Sequence, residues 1–193
     1  MNTIEKLIKQ FAKLPRVGGR GARRIVLDLL SDKTGRATAL ANALRAASET
    51  IHPCPVCGCL NDGNCVYCSD ASRGTGQLCI VRDLSDVWIL DGSGVFNGRY
   101  HIIGGLLSGA GGVSPEDLLI KNLPTRIKNE NITEIIFALP NTIEGKTTQH
   151  YIMSVVGDDV EFSELASGVP LGGDLDYMDD GTLRVAFGGR KKI

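Results

Sequence analysis

Ile4, Leu7, Ile8, Phe11 and Leu14 recur at the i, i+3, i+4, i+7 spacing of one helix face. They predict an amphipathic helix that Pro15 ends. Thr3 with Lys6 gives no capping box, which leaves Asn2 or Thr3 as the cap. The turn RVGGRG follows, and Ala22, Ile25, Val26, Leu29 and Leu30 resume the helical period. A third apolar face runs through Leu40, Leu44, Ala47 and Ile51, and Pro53 closes what reads as a compact helical unit.

The pattern changes after the polar, glycine-bearing linker SDASRGTGQ. LCIVRD (78–83), RYHIIGG (99–105), EIIFALP (134–140) and VEFSELA (160–166) read as short, largely buried strands. A helical face runs through Leu118, Leu119, Leu123 and Ile127 within 115–128, and another helix is expected from Thr147 to Val156. Strands that alternate with helices predict a mainly parallel sheet covered on both sides. The expected class is therefore a multidomain α/β protein: helical unit 1–52, a cysteine-rich finger 53–69 and an α/β domain beyond the linker.

Composition adds a compartment and a charge map. The 193 residues are 42% hydrophobic and 22% charged, with a formal net charge of −1. The N-terminus mixes charged and apolar residues, unlike a signal peptide, and no segment has the apolar length of a membrane span. A cytoplasmic location without membrane attachment is expected, where cysteines serve as thiols or metal ligands rather than disulfides. The small net charge hides two opposed ends. Residues 1–30 carry Lys6, Lys9, Lys13, Arg16, Arg20, Arg23 and Arg24 against Glu5 and Asp28, a net +5. Residues 158–180 hold eight carboxylates, Asp174 and Asp176 among them, and no basic residue. The basic end suits a polyanion, and the bland alternative is that both ends are solvated faces.

The stretch CPVCGCLNDGNCVYC places Cys54 and Cys57, then Cys65 and Cys68, in two CxxC knuckles seven residues apart. Two facing knuckles complete a tetrahedral four-thiolate zinc site, and nothing here leaves an open coordination position for catalysis. The loop has few bulky apolar residues, so one structural Zn²⁺ per chain is expected to hold it folded, in preference to a redox pair. Cys59 is a fifth thiol without a role, and Cys79, in a buried strand, reads as a small hydrophobe.

LPRVGGRGARRIVLDLL follows the logic of a helix-hairpin-helix. Its glycine turn exposes backbone amides at the start of the second helix, where the dipole favours a phosphate. Arg20 and Arg24, four apart, project from one face toward the same backbone. Arg16 and Arg23 stand beside them as further candidate DNA contacts. Such contacts neutralise phosphates without reading bases, so single- and double-stranded DNA are both candidate partners. An ordinary hairpin with a basic solvent face is the competing account.

A basic hairpin, a four-cysteine finger and a small α/β domain, in that order, resemble the bacterial recombination-mediator family RecR. The resemblance extends through GQLCIVRDLSDVW, GRYHIIGGLLSGAGGVSPEDL, ITEIIFALPNTIEGKTTQHYI and ASGVPLGGDLDYMDDGTL. It implies an α/β Toprim domain over 76–171 and a C-terminal segment, 172–193, used in oligomer contacts. It also implies a homo-tetramer, or dimer of dimers, that grips DNA. The family acts with RecO and RecF to load recombinase at single-stranded gaps, independently of RecBCD. Carried over by position, its DNA-contacting pair falls on Arg20 and Arg24, and its zinc ligands on Cys54, Cys57, Cys65 and Cys68.

Three positions depart from the family pattern. Arg16 stands where the hairpin usually has glycine, and the cysteine pairs are one residue closer than usual. Arg82 occupies the end of the first Toprim strand, where catalytic members place a glutamate. Asp83 next to it points to the opposite face unless the strand ends before it. LPNTIEG replaces the Asp-x-Asp that would hold Mg²⁺, leaving Glu144 alone. A non-catalytic chain is expected. The alternatives are a metal-dependent nuclease or primase using Asp83, Asp86 and Glu144, and a zinc-bearing regulator with a base-reading helix.

Overall fold

Asn2 opens the first helix with a capping box that the Thr3 and Lys6 pairing does not reveal. Its side chain accepts from the Glu5 amide at 2.8 Å, and the Glu5 carboxylate accepts from the Asn2 amide at 3.1 Å. The structure, a computed structural model, describes residues 2–190. Met1 and residues 191–193, the outer ends of the expected first and last domains, lie outside the described residues. The chain divides into two compact units, Met1–His52 and Pro53–Ile193.

The first unit contains α1 (Thr3–Phe11), α2 (Gly19–Ser31) and α3 (Arg36–Thr50). Ala22 and Val26, one turn apart on α2, are its fully buried side chains among the described residues. Leu40, Leu44 and Ile51 remain exposed, and α3 buries no residue. Within this unit the predicted period gives helices, but the third apolar stripe is left without a covering element.

The short strand β1 (His52–Pro53) stands at the boundary, and the cysteine loop after it holds only the two-residue strand β2 (Leu60–Asn61) and the four-residue helix α4 (Val66–Ser69). The sheet of the second unit is parallel throughout, as alternating elements predict, in the order β4-β3-β5-β6. The strands are β3 (Gln77–Val81), β4 (Arg99–Ile102), β5 (Glu134–Ala138) and β6 (Glu161–Glu164), each shorter than its apolar run. Side-chain alternation on β3 builds two cores. Leu78 and Ile80 join Ile135, Phe137, Leu123, Ile127 and Ile152 on one face. Cys79 and Val81 join Val87, Tyr100, Ile102 and four loop cysteines on the other. Thus α6 (Leu123–Glu130) and α7 (Ile143–Val156) cover the first face, and α5 (Leu84–Ser93) covers the second. The last helix among the described residues is α8 (Asp180–Gly188), and none of the described helices is long and apolar enough to cross a membrane.

Three expectations change here. The stripe in 115–128 is not one helix: a 3₁₀ turn, Pro115–Asp117, is separated from α6, and Leu119 is exposed between them. Helix α7 starts before Thr147, because Thr142 caps it by accepting from the Gly145 amide. Gly145 has no room for a side chain, since a Cβ there would lie 1.9 Å from the Pro140 carbonyl oxygen. Helix α5 was not predicted, since LSDVWILDGS has apolar residues around most of its circumference.

A buried polar network supports the β4 edge of the sheet from α6. Arg126 Nη1 donates to the Tyr100 carbonyl at 2.8 Å and to His101 Nδ1 at 2.9 Å. The Leu119 carbonyl can only accept, so His101 carries its proton on Nε2. Glu130 answers Arg126 Nε at 3.0 Å and Arg99 at 3.0 Å. Burial, helped by the Arg126 charge, lowers His101 to about 4. The unfolded chain titrates near 6.5, so it takes up a proton that the folded chain refuses as pH falls below that value. Stability is full above pH 6.5 and is lost toward pH 4, with a slope approaching ~1.4 kcal/mol per unit and a total of about 3 kcal/mol. Urea unfolding at pH 7, 5.5 and 4.5 should show this slope. His101→Gln, which can donate to Leu119 and accept from Arg126, should flatten it.

Candidate metal centre and nucleic-acid interface

The two knuckles fold so that Cys54, Cys57, Cys65 and Cys68 present sulfur atoms all within 4.8 Å of one another. Cys57 Sγ is 3.4 Å from Cys65 Sγ, and Cys54 Sγ is 3.9 Å from Cys68 Sγ. Tetrahedral zinc with bonds of about 2.3 Å would set such edges near ~3.8 Å. The Cys68 amide donates to the Cys65 carbonyl at 3.0 Å, which closes the second knuckle, and the backbone N–H groups of Cys57 and Val56 favour the charged form of the Cys54 sulfur. Burial opposes ionisation of Cys54, yet these amides and the neighbouring thiols hold it below the usual thiol range. Cys57 is pushed up, first by the Cys59 thiol and then by burial, and Cys68 is pushed up by Cys57 and burial. Four crowded sulfurs cannot all become thiolates without a cation among them, so the donor set fits a thiophilic metal.

Cys59 lies outside this tetrad and is fully buried. Its carbonyl accepts from the Cys54 amide at 2.8 Å and from the Asn61 side chain at 3.2 Å, which closes the first knuckle. Cys79 packs in the same core, and burial raises it to about 12, as a small hydrophobe in a strand should behave.

The loop is fastened to the open edge of the sheet. The Ile102 amide on β4 donates to the Cys57 carbonyl at 2.8 Å. Gly58 makes this approach possible: its φ is +78°, and a Cβ would lie 2.8 Å from both the Ile102 carbonyl oxygen and a Leu119 methyl. Sequence reading passed over this glycine, although its place between two cysteines was a usable signal. Gly58→Ala should cost about 2 kcal/mol or more through left-handed strain and the clash. Thermal unfolding, with metal content measured in parallel, checks this.

In the first unit, α2 begins at Gly19 with Gly18 as its cap and no capping side chain. A Cβ at Gly18 or Gly19 would meet nothing within 4 Å, so the space around the start of the helix is open, and no side chain caps its first amides. Arg16, Arg20, Arg23 and Arg24 are all exposed around this turn. Arg16 adopts φ +62°, a left-handed conformation natural to glycine and strained for arginine. The hairpin therefore keeps its turn and gains a charge.

At the head of the sheet, β3 ends at Val81, so Asp83 is free of strand alternation and becomes the cap of α5. Its carboxylate accepts from the Ser85 hydroxyl, from the Ser85 amide at 2.9 Å and from Arg82 Nε at 2.9 Å. The Ser85 hydroxyl foremost, with Arg82, holds it below the usual carboxylate range. Asp86 completes the capping box by accepting from the Asp83 amide. Glu144 lies in the first turn of α7.

Family models match three consecutive stretches: a RecR helix-hairpin-helix at residues 4–48, a Toprim domain at 76–166 and a RecR C-terminal region at 168–191. Proteins described as recombination protein RecR align along nearly the whole chain. The one from Ruegeria sp. (strain TM1040) is 45% identical over 98% of this chain and 96% of its own length. That from Paracoccus denitrificans (strain Pd 1222) is 46% identical, with the same shares. That from Rhodospirillum rubrum is 44% identical over 98% of each chain. With the hairpin, cysteine tetrad and parallel Toprim sheet in the same order, the chain belongs to the RecR family.

Proposed function

We propose that this chain is a DNA-binding mediator of recombinational repair that helps load recombinase at single-stranded gaps, with RecO and RecF as partners. The observation that carries the reading is the hairpin, with uncapped amides at the start of α2 and four exposed arginines around them. Alignment with recombination proteins over 98% of the chain supports the same role. Arg20 and Arg24 contact phosphate, flanked by Arg16 and Arg23, and binding is blind to sequence because phosphates are common to all DNA.

One Zn²⁺ per chain sits among Cys54, Cys57, Cys65 and Cys68, where closed four-thiolate ligation gives it a structural role. The chain works without catalysing strand chemistry. Asp83 and Asp86, the carboxylates nearest the Toprim catalytic position, are committed to capping α5 and to Arg82. Homo-oligomer contacts, as a tetramer or dimer of dimers, are supported by the exposed Leu171, Leu175, Tyr177 and Phe187 near the C-terminus.

The test is recombinase loading on gapped DNA whose single strand is already covered by single-strand-binding protein. The chain with RecO should speed loading about tenfold or more over RecO alone, and more at gaps than on intact duplex. Equal rates with and without the chain would remove the mediator role. Cleavage of supercoiled DNA with added Mg²⁺ would remove the non-catalytic one.

A further inference from the structure

The side chain of Arg73 is only 14% exposed, in the turn Ala71–Arg73 just after the second knuckle. Its guanidinium meets both the cysteine loop and the α/β domain. Nη2 donates to Asp91 near the end of α5 at 2.5 Å, and Nη1 donates to the Gly98 carbonyl at 3.3 Å. It lies 5.3 Å from the Tyr67 ring centre and 5.7 Å from that of Tyr100. Those two rings meet edge to face at 5.6 Å, and Phe96 meets Tyr100 in the same way at 5.3 Å.

Tyr67 is in α4, between Cys65 and Cys68, so its position depends on what those two thiols hold. Asp91 belongs to a helix with weak anchorage of its own. Val87 is the only fully buried residue of α5, while Trp88 and Ile89 are 63% and 70% exposed. A guanidinium withdrawn from water keeps this place only while its hydrogen-bond fork and its ring contacts are satisfied together.

We propose that Arg73 is a joint that couples metal occupancy of the cysteine tetrad to the order of α5, with Arg73 as a positioning residue. When Cys65 and Cys68 are fixed by a metal, α4 holds Tyr67 beside Arg73 and Arg73 clamps Asp91. When they are released, Tyr67 leaves, the guanidinium hydrates, and the C-terminal half of α5 loosens with its Trp88 face. The coupling rests on the tetrad being a metal site, so metal content of the purified chain is measured first. Protein that neither carries nor takes up Zn²⁺ would sink both ideas.

Trp88 is the chain's single tryptophan and stands three residues before Asp91, which supplies an internal reporter. The full chain is compared with and without a zinc chelator by acrylamide quenching of Trp88 and by amide hydrogen exchange. Chelation should speed exchange of the 88–93 amides about tenfold and raise quenching, with β3 and β5 still protected. Arg73→Gln should show the loosened α5 with its zinc retained, and chelation should then change α5 no further. Asp91→Asn, which keeps the ring contacts, should give a smaller effect in the same direction. Unchanged α5 exchange on chelation overturns the coupling. So do β5 amides that exchange as fast as those of 88–93 after chelation, which would mean global unfolding, or an Arg73→Gln chain that keeps the wild-type zinc response.

Discussion

Changing Arg20 and Arg24 to glutamate together is expected to weaken DNA binding about a hundredfold at moderate salt. Both side chains are exposed on the first turns of α2, beside amides that no capping side chain covers. Each arginine lost removes a neutralised phosphate, and each glutamate gained adds repulsion, so the effect exceeds that of truncation. Fluorescence anisotropy with labelled single- and double-stranded DNA across a salt series measures it. The plot of log affinity against log salt should lose about 0.9 units of slope per phosphate contact removed from duplex, hence about two for the pair. The loss should be similar for unrelated sequences. Neither residue is buried, so the melting curve of the variant should match the parent. Normal binding by a folded double variant would reassign the hairpin as a solvated basic face.

The hairpin and the sheet were legible because each follows a repeating pattern. Ala22 and Val26 mark the inner face of α2, the apolar run at 78–83 covers all of β3 but its first residue, and the run at 134–140 contains β5. Spacing placed the two knuckles, and the structure brings their four sulfurs together. What escaped depended on contacts between distant residues or on a missing period. Helix α5 has no single polar face to betray it. The stripe ending at Ile127 is broken where Leu119 turns outward to hydrogen-bond Ile103 and His101 through its backbone. The pairing of His101 with Arg126 spans 25 positions, and that of Arg73 with Asp91 spans 18. Arg16 is instructive in another way. It stands where the family usually has glycine, the backbone keeps a left-handed conformation, and the arginine bears the strain.

Withdrawing the metal should have the second large effect, and the five cysteines of the loop should divide four to one in producing it. Cys54, Cys57, Cys59 and Cys65 are buried in a core with Val81, Val87, Tyr100 and Ile102, so thiol position is part of packing. Metal bound to the folded chain at a hundredfold excess over its Kd contributes roughly 2.7 kcal/mol. Chelation should therefore lower the unfolding temperature by about 10 °C and expose the Ile102 amide that donates to Cys57. Cys57→Ser should reproduce the loss even in excess zinc, because serine is a poor ligand for this thiophilic site. Cys59→Ser should keep one zinc per chain, since what Cys59 gives the first knuckle is its carbonyl, which serine also has. It should lose only the modest stability of a buried thiol exchanged for a hydroxyl, about 1–3 kcal/mol. Zinc content and calorimetric melting of both variants decide the matter. A Cys59→Ser chain that lost its zinc, or a Cys57→Ser chain that kept it, would move the ligand set from Cys57 to Cys59.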